Sequence, residues 1–138
     1  MEDLLKLAKV LRAAQVVAHT AHNNAQGPSF FSDHAFLGET YAAYEDAYDS
    51  VVERYIGLTQ ETVAGVEVMR EAMELISDID CGSVNACYES LLVLEKTVCK
   101  VCTVACGQDG ISEGTKQLVG EICNVSEMRQ YKIRQRIA

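Results

Sequence analysis

Proline occurs only once in this 138-residue chain, at Pro28, and most of the nine glycines fall at the borders of apolar-periodic segments. Long stretches therefore carry no strong helix breaker, and an all-α fold is expected. Leu4, Leu7, Leu11, Ala14 and Ala18 recur at three- and four-residue steps, which places a first helix over about 4–24. Gln26-Gly27-Pro28 ends it. A second helix is predicted from Ser32 as N-cap to about 58, with Leu37, Tyr41, Tyr44, Tyr48, Val52 and Tyr55 on its inner stripe. Residues 61–79 have helical propensity and form a bridging segment. The stripe Val84, Cys87, Leu91, Leu94, Val98, Val101 and Ala105 sets a third long helix over 83–106. After the turn Gly107-Gln108-Asp109-Gly110, a fourth runs over 112–137 through Leu118, Ile122 and Val125.

Four long helices with one long connection, between the second and third, match the ferritin-like four-helix bundle with a short crossover helix. No repeat or composition shift divides the chain, so residues 1–138 are read as a single domain, long enough to bury about two-thirds of its unfolded surface.

Composition narrows the function classes. No run of eighteen apolar residues is present, and the start Met1-Glu2-Asp3 is acidic where a signal peptide is basic, so a cytoplasmic protein with no membrane partner is expected. Six cysteines in that setting are expected as reduced thiols. A formal net charge of −8 opposes an electrostatic grip on phosphate backbones, so DNA binding is expected to be weak or absent.

All three histidines, His19, His22 and His34, lie in one short window. An antiparallel pairing of the first two helices would bring His22 and His34 together. Further along the second helix, Asp49 and Glu53 are four residues apart and project from adjacent turns of one face. His34 and Asp49 are separated by fifteen residues, about 22 Å of straight helix, which one chain cannot close. If the four side chains share a metal, the imidazoles come from one subunit and the carboxylates from another across a two-fold axis. A mixed imidazole and carboxylate set with open positions suits ferrous iron better than closed structural zinc. Acids at helical spacing equally describe a solvated face, and spacing alone leaves both readings open.

The run His19-Thr20-Ala21-His22-Asn23-Asn24-Ala25-Gln26-Gly27-Pro28-Ser29-Phe30-Phe31, followed by His34 and by Asp49-Ser50-Val51-Val52-Glu53-Arg54, resembles the Dps family of mini-ferritins. The family pattern is approximately H-x-x-H-W-x-x-x-G-x-x-F-x-x-x-H and then D-x-x-x-E-R. The specific motif spans residues 19–54, and the helix order extends the similarity along nearly the whole chain. The resemblance implies a dodecameric shell built from two-fold dimers, which oxidises ferrous iron with hydrogen peroxide or oxygen and stores the ferric product. It implies His22 and His34 as iron ligands from one chain and Asp49 and Glu53 from its partner, with Glu53 bridging. His19 matches a family histidine outside the ligand set. The same likeness makes Asp109, Glu113 and Glu121 candidates for the acidic pore through which iron enters, although the helix dipole also accounts for acids near a helix start.

The sequence departs from that pattern in several places. An acidic ligand is usual one turn after the second histidine, and Gly38 stands there; Glu39 is rotated by about 100°. The tryptophan after the first site histidine is Asn23, leaving Tyr41, Tyr44 and Tyr48 as nearby oxidisable rings whose spacing also suits core packing. The first helix holds only Lys6, Lys9 and Arg12, without a lysine-rich tail, while Arg129, Lys132, Arg134 and Arg136 give a basic end favoured by the helix C-terminal dipole. Cys99, Cys102 and Cys106 share a helix, where they can pack as small apolar residues, as can Cys87 and Cys123, or bind soft metals. The expected function is Dps-like ferroxidation and iron storage. The rival is a shell-forming or DNA-protecting structural protein whose ferroxidase is impaired by Gly38.

Overall fold

A computed structural model describes residues 1–138. Its five helices are α1 (Glu2–Asn24), α2 (Phe30–Thr59), α3 (Gly65–Leu75), α4 (Val84–Cys106) and α5 (Glu113–Ile137), giving four long helices with a short one between the second and third. None is long and apolar enough to cross a membrane.

The turn into α2 depends on backbone freedom. Gly27 sits at φ +85°, a region that side chains with a Cβ avoid, and its carbonyl accepts from the Phe30 amide at 3.0 Å. That places the N-cap at Ser29 and takes Ser32, the expected cap, into the first turn. A helix can begin at Phe30 because Pro28 precedes it and needs no amide donor. The bridging helix is also shorter than its propensity suggests: residues 61–64 are not helical, and only Gly65–Leu75 forms a helix. Only there do Val68 and Ala72, one turn apart, find α1 to pack on.

Helix α1 is the hub. Leu4, Leu7, Leu11, Val17 and five alanines of α1 are buried against α2, α4 and α3. Alanine lets those neighbours approach closely. On α2 the buried row is Leu37, Tyr44, Tyr48, Val51 and Tyr55, with Tyr41 and Val52 only half-buried at its margin. On α5, Val125 turns outward, contrary to its expected place on the inner stripe, and Val119, Ile122 and Ile133 face inward. The row through Ile122 and Ile133 is completed by Ser126 and Arg129 at steps of four and three.

Arg129 is therefore not a helix-end cation. Its Nε donates to the Glu95 carboxylate of α4, and its guanidinium lies 4.6 Å from the Tyr44 ring centroid. Glu95, fully buried, also accepts from the Tyr44 and Ser126 hydroxyls, and the Gln130 amide donates to its carbonyl. Arg136 likewise leaves the basic end: it makes a two-pronged contact with buried Asp33 of α2 at 2.9 Å, where Tyr88 also donates at 2.9 Å. Further along the same seam Arg54 reaches Thr115 at 3.1 Å. Helices α2 and α5 have little direct backbone proximity, and long polar side chains span the gap at three levels.

Burial acts to raise the Asp33 pKa, but the Arg136 and Tyr88 hydrogen bonds and the Arg136 charge prevail and leave it below the ordinary carboxyl value of 3.8. A lowered folded-state pKa contributes stability above the unfolded value, lost as pH falls through the folded one. The stability difference between the native chain and Arg136→Met should accordingly narrow below about pH 4, as read by urea unfolding across pH. Arg129→Met, which strands the Glu95 carboxylate, should cost about 3–5 kcal/mol at neutral pH, and adding Glu95→Leu should recover part of that loss.

Candidate metal centre between imidazoles and carboxylates

The last turn of α1 and the first turns of α2 run antiparallel across the Gly27 turn, and they bring His22 and His34 into contact with ring centroids 3.8 Å apart. The His22 Nδ1 lies 2.8 Å from the His34 carbonyl oxygen. A carbonyl only accepts, so Nδ1 carries the proton and the Nε2 lone pair of His22 is left for another partner. Hydrogen bonding of one ring nitrogen to a carbonyl is how ligating histidines are oriented. Both rings are half-buried, close enough to solvent for a cation to reach them.

Gly38 explains how the His22 ring fits. A Cβ at that position would lie 3.1 Å from Cε1 and 3.2 Å from Nδ1 of His22, so the imidazole lies against α2 where a side chain at 38 would begin. An acid here would displace the ring as well as add a ligand. His19 stands apart from the pair, exposed, stacked on Tyr41 with centroids 4.1 Å apart and 6.4 Å from the His22 ring. Phe30 flanks the other side of His34 at 5.0 Å.

Asp49 and Glu53 lie on the same helix as His34 and are exposed, with no ion pair or hydrogen bond inside the chain. The fifteen-residue step between His34 and Asp49 is uninterrupted α-helix, about 22 Å, so one chain does not gather the four side chains. At 100° per residue, Asp49 projects within about 60° of His34, so both ends address one side of α2. Between them Ala35 and Ala42 are exposed small residues. Asp109, Glu113 and Glu121 are all exposed around the start of α5, where Glu113 pairs with Lys116 at 3.2 Å. Tyr44 and Tyr48 are buried core rings, and Tyr44 is committed to Glu95.

Apolar patterning missed the buried polar residues Asp33, Thr40, Glu95, Thr115, Ser126 and Gln130, and placed Arg129 at a basic helix end. Their signal was position: Glu95 follows Leu91 by four and precedes Val98 by three, on a stripe that is otherwise apolar.

Gly38→Ala should gain at most about 1 kcal/mol of helix propensity, offset by displacement of the half-buried His22 ring. Imidazole NMR resonances of His22 should move, while those of His19 should stay near their native positions.

No protein-family model and no curated protein matches the sequence. Among solved structures, the chain is similar to a mutant of Dps1 from Mycobacterium smegmatis, with a TM-score of 0.79 and 14% identity over 99% of this chain and 93% of that one. It is also similar to Dps from Microbacterium arborescens in its high iron form, with a TM-score of 0.69 and 17% identity over 99% and 90%. The all-α fold, with its short α3 between α2 and α4, is thus the Dps fold along its full length.

Proposed function

We propose that this protein is a Dps-type mini-ferritin that oxidises ferrous iron at sites shared between two-fold-related copies and stores the ferric product within a cytoplasmic shell of twelve subunits. The observation that carries the reading is the division of the donor set along one rigid helix. His22 and His34 supply imidazole nitrogen at one end; Asp49, about 22 Å along the helix, and Glu53, one turn further, supply unpaired carboxylates. Two α2 helices packed antiparallel would cross near Tyr41 and Ala42, midway between His34 and Asp49, and would join each imidazole pair to a partner's carboxylates. Exposed Ala42 permits close approach there. The full-length likeness to a Dps in a high iron form supports iron as the substrate.

Nitrogen and carboxylate donors together suit ferrous iron, and carboxylates hold the ferric product still better. Two ferrous ions give up one electron each; hydrogen peroxide takes both, its O–O bond breaks, and two protons complete two waters. The chain's part is placement. The hydrogen bond from His22 Nδ1 to the His34 carbonyl orients the ring and leaves Nε2 as the nitrogen available to a metal. Asp109, Glu113 and Glu121 would form an acidic path for iron around the start of α5. Exposed Phe31, Val66, Val93 and Val104 are apolar surface that a shell would cover. With a net charge of −8, protection of DNA by consuming iron and peroxide is favoured over wrapping it.

One observation favours a second reading, a shell that has lost efficient ferroxidation: the His22 ring lies against Gly38, where the Dps pattern calls for an acidic ligand. Anaerobic ferrous loading followed by peroxide separates the two. Under the first reading, oxidation is faster than in buffer, and His34→Ala and Asp49→Ala each slow it at least tenfold. Oxidation at the buffer rate in a particle of about 181 kDa, twelve copies of 15.1 kDa, supports the second. A small monomer or dimer contradicts both.

A further inference from the structure

The α4–α5 seam carries a second donor cluster, remote in sequence from the histidines. Cys99 of α4 and Cys123 and Glu127 of α5 bring one ligand atom each to within 4.8 Å of one another. Cys123 and Glu127 are four residues apart, so they project from successive turns of one helix face, and Cys99 closes the triangle from the facing helix. Two ligands at this spacing on one helix and a third from its neighbour is how metal sites are built inside helical bundles.

The local hydrogen bonds hold the donors in place. The Cys99 thiol donates to the Cys123 carbonyl at 3.7 Å, and the Cys123 thiol donates to Glu127 Oε1 at 3.8 Å. Gln130 Nε2 donates to the Cys99 sulfur at 3.3 Å, a contact that would stabilise negative charge on that sulfur. Both cysteines are half-buried and Glu127 is exposed, so the cluster is sheltered on its helix side and open to solvent on the other. A surface cavity lined by Cys102, Cys106, Cys123 and Glu127 reaches two of the three donors. Core packing accounts for Cys102, which is 1% exposed, but not for Cys123 directed at a carboxylate.

We propose that Cys99, Cys123 and Glu127 form a binding site for a thiophilic divalent cation of the zinc class, with a fourth position open to solvent. Two thiolates and a carboxylate offer three negative charges, which a divalent ion offsets better than a monovalent one. Sulfur donors prefer zinc-class ions to the ferrous iron that imidazole and carboxylate would take. Three protein ligands with an open fourth position describe an exchangeable site, and the helices are already packed without the ion. Thiolate is the ligating form of cysteine, so metal uptake at this site displaces thiol protons and strengthens as pH rises.

The test is anaerobic titration of the reduced, assembled protein with cobalt(II) as a spectroscopic probe, then back-titration with zinc. The expected result is a near-ultraviolet thiolate-to-cobalt charge-transfer band that saturates at one ion per chain. Zinc should abolish it, and about two protons should be released per metal at neutral pH. Cys123→Ser should remove the band, and Glu127→Gln should keep it while weakening binding about tenfold, with helical circular dichroism and particle size unchanged in both. Imidazole and carboxylate sites give no thiolate band, so failure of the proposed iron centre would not alter this readout. Absence of the band in the native protein, or its persistence in Cys123→Ser, would overturn the site.

Discussion

Helix α2 is a rod. Its thirty residues, Phe30–Thr59, run about 45 Å without a proline, and everything proposed about the metal centre follows from that rigidity. A helix of this length resists the bend that would be needed to bring Asp49 back to His34. Helix α1 lies along it, and Leu37, Tyr44, Tyr48 and Val51 are buried where the alanine-rich face of α1 packs. On the proposed reading, the donors at the two ends of α2 serve a metal only in an assembly. An exposed carboxylate pair and a half-buried imidazole pair, each incomplete, become complementary when a second rod lies antiparallel to the first.

The contact of α2 with α5 is of a different kind. Where α1 meets it through small apolar side chains, α5 meets it through Arg136 with Asp33, Arg129 with Tyr44 and Glu95, and Arg54 with Thr115. Buried ion pairs contribute little net stability compared with apolar packing, but an unpaired member is very costly. The seam therefore admits few alternative registers of α5: sliding it by one turn would strand Glu95 and Asp33 among apolar neighbours. No buried side-chain polar atom lacks a partner.

The helices were legible because apolar side chains recur at helical spacing and turn residues are few. Their ends were less so. Ser32 is a sound cap by chemistry, but positive φ at Gly27 and the fixed φ of Pro28 start the helix at Phe30, before Ser32 can act. Val125 follows the inner row by spacing, yet faces out because Ser126 and Arg129 take the inward face toward Glu95. Arg129 and Arg136 resemble cations at a helix end until α4 and α2 are seen beside them. The likeness of residues 19–54 to a Dps motif named the donor set, but spacing could not reveal that Gly38 makes room for the His22 ring. That contact is tertiary: it depends on the approach of α1 to α2, which no local pattern encodes.

The claim that one metal centre draws on two chains can be tested by complementation. His34→Ala and Asp49→Ala subunits, each inactive alone, are dissociated, mixed in equal amounts and reassembled, and peroxide-driven ferrous oxidation is measured. A mixed two-fold pair regains one intact centre and loses the other, so random pairing should restore about a quarter of the native centres. The account predicts that recovery, scaling with the fraction of mixed pairs. Reassembled shells that stay as inactive as either parent would contradict it.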